Sequence, residues 1–217
     1  MEPTDHNRRA WDEVHRRRSV ARAGEPSLPE PIRRSLGSLE GKRVIHLQCG
    51  TGESTIELAG LGAVATGVEV SAEALERACE RGPAIVWVQA DSQELPAELR
   101  RSRFDLVYTG NGALAAVGDL TGWATGIGAA LRLGGDFLLY EEHPVAVCVD
   151  PMMRWRESYF DETIGGESFW RLGQVVTALA RAGLTIRALE EYPTQKTEHR
   201  RQDARLPGEF LLHASRA

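Results

Sequence analysis

Residues 43–55 read Arg-Val-Ile-His-Leu-Gln-Cys-Gly-Thr-Gly-Glu-Ser-Thr, and this stretch decides the fold. The apolar run at 44–47 predicts a short buried strand, and the residues from 54 onward predict a helix. Gly50 and Gly52 lie between the two, where glycine allows the backbone to turn sharply and to approach a ligand closely. The stretch therefore predicts a strand, a tight turn and a helix, with a ligand site at the turn.

The same alternation of strand and helix continues along the chain. Strands are predicted at 44–47, 64–70, 85–88, 104–108 and 137–140, and helices at 54–61, 72–81 and 120–131. Ser71 is the expected N-cap of the helix at 72–81, and the pair Gly134-Gly135 is expected to end the helix at 120–131. Strands that alternate with helices predict a mostly parallel sheet covered by helices on both faces.

Both ends of the chain depart from this rhythm. The first 23 residues predict a polar helix, which the prolines between 25 and 31 interrupt. A helix at 172–182 precedes two strands, at 185–192 and 210–214, with no helix between them, so these strands are expected to pair antiparallel. We therefore predict a single α/β domain with one doubly wound, mostly parallel sheet of about seven strands and a C-terminal antiparallel hairpin.

The composition limits the class of protein. With 217 residues, of which 42% are hydrophobic, the chain can bury a core, which excludes wholesale disorder. The net charge of -5 weighs against a nucleic-acid partner. Cys49, Cys79 and Cys148 are odd in number and too widely spaced for a disulfide framework or a zinc site. No apolar run approaches the roughly 20 residues of a membrane helix, and the polar N-terminus is unlike a secretory signal, so we expect a cytoplasmic protein with no membrane partner.

The turn at 50–52 differs from two common phosphate-binding loops. A dinucleotide-binding loop has a third glycine where Thr55 stands, and Glu53 at the start of the helix would repel a diphosphate. A P-loop needs a Gly-Lys-Ser/Thr sequence, which does not follow here. These departures disfavour a nicotinamide-dependent oxidoreductase and favour a ligand that has no phosphate and carries a positive charge.

Polar side chains follow the next two strands at the same edge of the predicted sheet. Glu69 ends the second strand, close to the spacing at which an acid accepts hydrogen bonds from a ribose. Asp91 and Ser92 follow the third strand and offer polar groups to an adenine amine. Polar residues commonly end strands, but three such features in this order and at one edge indicate a nucleoside site.

Five stretches of the chain together resemble the class I S-adenosylmethionine-dependent methyltransferases. They are HLQCGTG (46–52), VATGVEVS (64–71), VQADSQELP (88–96), FDLVYTGNGAL (104–114) and LRLGGDFLLYEEHP (131–144). The resemblance is good from about residue 40 to 145 and looser elsewhere. The chain departs from the family pattern at Gln48, where glycine is commonest, and at Glu69, where aspartate is more usual. A tight turn and a carboxylate nevertheless remain at these positions.

The resemblance implies which residues bind S-adenosylmethionine and its product S-adenosylhomocysteine. They are Gln48, Gly50, Thr51, Gly52, Glu69, Val70, Asp91, Ser92, Thr109 and Gly110. In the family the glycine turn faces the methionine part and the acid after the second strand binds the ribose, while the acid after the third strand meets the adenine amine. His15, on the predicted N-terminal helix, is a further candidate that would close over the cofactor; the alternative is a histidine that faces solvent.

The implied reaction displaces a methyl group in line from a sulfonium, so the enzyme chiefly positions a nucleophile and, where needed, removes its proton. His143, just past the fifth strand, is the candidate catalytic base or substrate-positioning residue, because histidine titrates near neutral pH. The alternative is that His143 only caps the strand or bonds the backbone. Asn111 could orient a polar group of the acceptor, and its surroundings lack the Asn/Asp-Pro-Pro-Tyr/Phe of the N6-adenine and glutamine methylases.

Residues 142–170 are rich in aromatic side chains and show no clear period. Connections of this length are uncommon unless they are functional, and aromatic side chains suit a flat organic acceptor. The expected contacts with the acceptor are Trp155, Tyr159 and Trp170, joined by Trp11 from the N-terminal helix. The alternative is a satellite hydrophobic cluster that covers the edge of the sheet.

The predicted parts of the domain are a helical lid at 1–39, a cofactor-binding core at 40–141, a substrate-specificity insertion at 142–170 and a C-terminal helix with hairpin at 171–217. The leading hypothesis is a methyltransferase, without a metal, that acts on O or N of a small organic acceptor in specialised metabolism, as a monomer or homodimer. The alternatives are an RNA or protein methyltransferase and a cofactor-binding partner subunit that has lost catalysis.

Overall fold

The computed structural model describes residues 27–193 and 204–217. Its helices are α1 (Glu30–Ser35), α2 (Glu53–Gly60), α3 (Ala72–Arg81), α4 (Leu120–Ala130), α5 (Pro144–Val147) and α6 (Leu172–Arg181), with a 3-10 turn at Leu114–Ala116. Its strands are β1 (Arg43–Leu47), β2 (Val64–Glu69), β3 (Val86–Gln89), β4 (Phe104–Gly110), β5 (Leu131–Glu142), β6 (Thr163–Ile164), β7 (Glu167–Ser168), β8 (Leu184–Pro193) and β9 (Pro207–Arg216). Within these described ranges, none of the helices is long and apolar enough to cross a membrane.

Seven of the strands form one sheet in the order β3-β2-β1-β4-β5-β9-β8. The first five of these run parallel, whereas β9 pairs antiparallel with both β5 and β8. The predicted doubly wound sheet of about seven strands with a C-terminal antiparallel hairpin is therefore confirmed. Because parallel strands end at one edge, the residues after β1, β2, β4 and β5 come together there.

Two apolar cores lie on opposite faces of the sheet, and helices close both of them. On one face α4 and α6 pack over the sheet, and Trp123 of α4 and Phe137 of β5 are fully buried there. On the other face Ile32 of α1 and Leu58 of α2 are fully buried against the strands. The sheet is therefore apolar on both sides, as a parallel sheet requires.

The predicted end of the helix at 120–131 is wrong. The helix α4 ends at Ala130 and β5 begins at the next residue, so Gly134-Gly135 lies inside a strand. A Cβ atom at Gly135 would lie 3.0 Å from the carbonyl oxygens of both Arg132 and Phe104. The pairing of β4 with β5 shifts register at this point, so the glycine pair serves a close approach of two strands rather than a helix end.

The proline-rich segment starts a helix that the sequence analysis does not predict. Pro31 stands in the first turn of α1, a position that tolerates proline because its missing N–H has no intrahelical partner. The Glu57 carboxylate holds this segment in place by accepting hydrogen bonds from the Ser27 and Leu28 N–H groups at 2.7 and 3.0 Å. The helix predicted over the first 23 residues lies outside the described residues, and the division of the chain into four parts stays a prediction.

A tryptophan on β3 supports the glycine turn that follows β1. A Cβ atom at Gly67, the residue of β2 that pairs with Trp87, would lie 2.4 Å from the Trp87 ring, and one at Gly52 would lie 2.5 Å from it. The ring nitrogen of Trp87 donates to the Gly82 carbonyl at 2.9 Å. The three glycines therefore make room for one indole ring, which packs between β2, the end of α3 and the turn.

We expect Gly67→Ala to lower the free energy of unfolding by about 1–3 kcal/mol, because the added methyl group would overlap the Trp87 ring. Urea denaturation would measure the change. Gly173→Ala is the matched control: its Cβ meets nothing within 4 Å, so a gain below about 1 kcal/mol is expected there.

Combining Gly67→Ala with Trp87→Leu should give a smaller loss than the sum of the two single losses, because the smaller side chain leaves room for the methyl group. Strictly additive losses would show that the ring does not set the requirement for glycine at residue 67.

Candidate active site

The turn after β1 contains three residues with left-handed backbone conformations. Gln48, Gly50 and Gly52 have φ values of 55°, 54° and 84°, and Gly52 is the N-cap of α2. Glycine adopts this region without a steric penalty, whereas glutamine is strained in it. This explains in physical terms why glycine is the commonest residue at position 48 in the resembling family.

Gln48 bridges this turn to the turn after β4. Its Nε2 donates to the Ala113 carbonyl at 2.8 Å, and its Oε1 accepts from the Thr109 hydroxyl at 3.2 Å. Thr109 is fully buried. The two hydrogen bonds offset part of the cost of the left-handed backbone, so the departure from glycine has a structural use here.

The Glu69 carboxylate at the end of β2 closes the other side of the turn. Its Oε2 accepts from the Gly50 N–H at 2.9 Å, and its Oε1 accepts from the Val70 and Ser71 N–H groups at 2.9 and 3.0 Å. Glu69 is only 5% exposed. A single side chain thus fixes the distance between the end of β2 and the glycine turn after β1.

Glu53 is not the uncompensated negative charge that the sequence suggests. It forms an ion pair with Arg81 of α3 and accepts a hydrogen bond from the Thr51 hydroxyl. Partial burial opposes its ionisation, but the Thr51 hydroxyl and the Arg81 guanidinium outweigh burial and lower the pKa of Glu53. The argument that Glu53 would repel a phosphate is therefore weaker than it looks in sequence, because Arg81 cancels much of its charge.

Asp91 and Ser92 lie after β3, next to the same edge of the sheet. Asp91 Oδ1 accepts from the backbone N–H of Gln93 at 2.9 Å and from its Nε2 at 3.0 Å. The Gln93 Oε1 in turn accepts from the Gly118 N–H at 2.7 Å and the Asp119 N–H at 2.6 Å. Gln93 was not among the predicted site residues, and it ties the β3 turn to the start of α4.

Glu141 is a buried acid at this edge that the sequence analysis missed. Its Oε1 accepts from the Gly112 N–H and its Oε2 accepts from the Leu114 N–H at 3.0 Å. Burial raises the pKa of Glu141 to about 7, although the hydrogen bonds from the backbone oppose the shift. The signal in the sequence is the strand period: Glu141 falls on the same face of β5 as Phe137 and Leu139, which belong to the apolar core.

His143 follows β5 and is almost fully buried. Its Nδ1 accepts from the Val145 N–H at 3.1 Å, which makes His143 the N-cap of α5 and places the ring proton on Nε2. Nε2 lies 2.9 Å from Oε1 of Glu191, a distance at which the two groups form an ion pair when the ring is protonated. Burial lowers the pKa of His143, and the neighbouring Glu191 partly opposes this. The capping role left open by the sequence is therefore present, and the catalytic role stays a prediction.

The predicted acceptor residues occupy different environments. Trp155 is 55% exposed and follows a turn that Asp150 closes, whereas Trp170 packs against the apolar core and donates from Nε1 to the Val117 carbonyl at 2.7 Å. Tyr159 packs edge-on against Phe169. Asn111 is exposed, with a left-handed φ of 61°. Trp11 and His15 lie outside the described residues.

The chain matches known methyltransferases in sequence and in fold. A model of the methyltransferase-domain family matches residues 44–135. An uncharacterised methyltransferase of Synechocystis sp. is 33% identical over 122 residues, which are 55% of this chain and 56% of that protein, so the match spans about half of the relative's length.

Solved structures match over more of the chain. A S-adenosylmethionine-dependent methyltransferase of Mesorhizobium loti has a TM-score of 0.71 and 24% identity, over 86% of this chain and 96% of that chain. A structure described for the conversion of a disulfide bond into a thioacetal group during echinomycin biosynthesis has a TM-score of 0.73 and 23% identity, over 97% of this chain and 92% of that chain. The resemblance to class I methyltransferases is therefore confirmed.

Replacing Gln48 separates its two effects on stability. We expect Gln48→Ala to lower the free energy of unfolding by about 1–3 kcal/mol, because it loses both side-chain hydrogen bonds and keeps the left-handed strain. Gln48→Gly loses the same hydrogen bonds but removes the strain, so it should recover about 1 kcal/mol of that loss. Equal losses in the two variants, measured by urea denaturation, would contradict the assigned strain.

Proposed function

We propose that this chain, a class I methyltransferase by its fold and its matched domain, transfers the methyl group of S-adenosylmethionine to an oxygen or nitrogen atom of a small organic acceptor. The observation that carries the proposal is the buried Glu69 carboxylate, held by three backbone N–H groups beside the glycine turn. A carboxylate that backbone donors hold in one position is suited to accept hydrogen bonds from a ribose.

The lone pairs of Glu69 fit this role. A carboxylate offers about four acceptor positions, and the Gly50, Val70 and Ser71 N–H groups use three of them. Oε2 receives one of these three hydrogen bonds, so it keeps an acceptor position for a ribose hydroxyl. Glu69 would therefore hold the ribose and the glycine turn at the same time.

The other proposed cofactor residues belong to the turns at the same edge of the sheet. Gly50, Thr51 and Gly52 would face the methionine part, and Val70 would pack on the adenine. Asp91 and Ser92 would meet the adenine amine, and Gln48, Thr109 and Gly110 would complete the pocket. When bound, S-adenosylmethionine supplies a methyl group on a sulfonium, which is already activated for displacement; the chain's own residues therefore bind and orient the two reactants.

The residues that are expected to contact the methyl acceptor favour a small organic molecule. Trp155 and Phe160 are 55% and 77% exposed, and Tyr159 packs between Phe160 and Phe169, so flat apolar surface faces solvent in the segment after β5. Asn111 is exposed at the end of β4 and could orient a polar group of the acceptor. The similarity to a structure from echinomycin biosynthesis supports a role in specialised metabolism.

His143 is the proposed catalytic base or positioning residue, and it also caps α5. Because its Nδ1 accepts from the Val145 N–H and its Nε2 carries the proton, the ring must rotate or exchange partners before it can take a proton from the acceptor. Burial lowers the pKa of His143 and so favours the neutral ring, which is the form that a base needs.

The acceptor class is tested by incubating the protein with S-adenosylmethionine and separate pools of small metabolites, RNA and protein, and by searching each pool for a mass gain of one methylene unit. We expect products only in the small-metabolite pool. Products in the RNA or protein pool would overturn the proposed acceptor class. Cofactor binding without a product in any pool would point to a partner subunit that has lost catalysis.

A thermodynamic cycle tests the ribose contact. We expect Glu69→Ala to weaken binding of S-adenosylhomocysteine at least about tenfold, because a charge-assisted hydrogen bond is lost. Since Glu69 also holds the glycine turn, the 2′-deoxy and 3′-deoxy forms of the ligand are titrated in parallel. At least one deoxy form should bind the wild type more weakly and bind Glu69→Ala as well as the parent ligand does. Equal deoxy penalties in the two proteins would place the ribose elsewhere.

Two variants separate catalysis by His143 from capping. His143→Ala removes both functions, whereas His143→Asn keeps a side chain that can cap a helix but has no basic nitrogen. We expect both variants to lower the turnover by about a hundredfold or more, with little change in cofactor affinity. Full turnover in His143→Asn would show that His143 caps α5 and takes no part in catalysis.

A further inference from the structure

We propose that Glu141 is a positioning residue: its carboxylate holds the β4 turn, residues 110–114, in the shape that presents Asn111 to the methyl acceptor. The proposal deepens the proposed function and rests on it for the identity of the acceptor side. Glu141 bonds the Gly112 and Leu114 N–H groups, so its effect on the site passes through the backbone of the β4 turn.

The β4 turn is built against β5. The Asn111 N–H donates to the Tyr140 carbonyl at 3.0 Å, and a Cβ atom at Gly110 would lie 2.2 Å from that same oxygen. Immediately after this contact the chain enters two left-handed residues, Asn111 and Gly112, with φ values of 61° and 95°. Successive N–H groups in such a turn point to one side and form a concavity that favours an anion.

The Glu141 carboxylate occupies that concavity. Its two oxygens accept from the Gly112 and Leu114 N–H groups, one on each side of Ala113. Glu141 is 5% exposed and Leu114 is buried, so without the carboxylate the Leu114 N–H would lose its partner in a buried environment, which is costly. The carboxylate therefore selects the turn conformation that satisfies both donors.

The turn connects Glu141 to the glycine turn of the cofactor side. The Ala113 carbonyl, between the two donors, accepts from Gln48 Nε2 at 2.8 Å, and Gln48 Oε1 accepts from Thr109 at the end of β4. A change in the conformation of the β4 turn would therefore move the hydrogen-bond partner of Gln48, which lies two residues before Gly50. This path links the acceptor side to the cofactor side through hydrogen bonds and the short backbone segment that joins them.

The charge on Glu141 changes near neutral pH. Burial raises its pKa to about 7 against the opposing hydrogen bonds from the β4 turn, and the neighbouring Glu142 raises it further. Burial raises the pKa of Tyr108 on β4, and the nearby negative charge of Glu141 raises it further. Because a folded pKa above the unfolded value favours the protonated form, the contribution of Glu141 to stability is largest below its unfolded pKa and is lost as the pH rises towards 7.

Protonation weakens the hold of Glu141 on the turn even though it favours the folded state. A carboxylate accepts through both oxygens, whereas a carboxylic acid has one oxygen that also carries a proton and accepts weakly. The β4 turn should therefore be tighter at pH 8 than at pH 6, while the global stability changes in the opposite direction.

Amide hydrogen exchange of the full chain, read by mass spectrometry and corrected for the intrinsic effect of pH, tests this directly. At pH 8 we expect Glu141→Gln to lower the protection of residues 110–116 about tenfold, because one N–H then faces an amide donor. Protection of α3 should not change. Glu98→Gln is the control, because Glu98 is an exposed glutamate in the segment between β3 and β4 and lies outside the β4 turn. Equal protection of 110–116 in Glu141→Gln and the wild type would overturn the proposal.

The wild type alone provides a second measurement, which serves also if Glu141→Gln does not fold. The protection of residues 110–116 relative to α3 should fall by about threefold or more between pH 8 and pH 6, and a constant ratio would overturn the proposal. Neither hydrogen-exchange measurement depends on methyl transfer. Both results would therefore remain valid if the proposed acceptor class were wrong. Once an acceptor is identified, Glu141→Gln should raise its KM more at pH 8 than at pH 6; an unchanged KM at both would overturn the positioning role.

Discussion

The contact between the Glu69 carboxylate and the Gly50, Val70 and Ser71 N–H groups is the constraint on which the rest of the site depends. A glycine turn has many accessible conformations, and nothing within its own sequence selects one of them. Glu69 selects one by binding the turn after β1 to the residues that follow β2. Because the carboxylate is buried and bonded to three backbone donors, it fixes the shape of the turn at which we propose that the cofactor binds.

A second buried carboxylate holds a turn on the proposed acceptor side, but there burial outweighs the hydrogen bonds in setting the pKa. Glu141 holds the β4 turn through the Gly112 and Leu114 N–H groups, as Glu69 holds the glycine turn. The pKa of Glu141 is raised to about 7 because burial dominates there. Gln48 joins the two turns by reaching Thr109 and Ala113. A buried carboxylate under each turn, with an amide between them, accounts for how two loops at one sheet edge keep a fixed relative position.

Local sequence predicts those parts of the fold that local physics decides. The helix at 72–81 with Ser71 as its N-cap is found within the same bounds, because capping and an amphipathic period act over a few residues. The mostly parallel sheet follows from the alternation of strands and helices in the same way. The pair Gly134-Gly135 misleads because glycine serves a helix end and a close approach of strands equally well, and only the neighbouring strand distinguishes the two.

The parts of the site that sequence reasoning missed all depend on distant partners. Arg81 neutralises Glu53 from another helix, and Ala113 receives Gln48 from a different turn. Glu141 is hidden in a run of two acids, and only the strand period separates the buried acid from its exposed neighbour. The positions of charged groups could thus be predicted, but their partners could not, because pairing across a sheet edge is set by topology rather than by spacing.

A calorimetric titration of the chain with S-adenosylhomocysteine, S-adenosylmethionine and NAD in parallel tests the central claim most directly. The account predicts saturable one-to-one binding of the first two ligands and no measurable binding of NAD, because Thr55 stands where a dinucleotide-binding loop has its third glycine. Preferential binding of NAD would contradict the proposed S-adenosylmethionine site, since Glu69 would then bind the ribose of a dinucleotide.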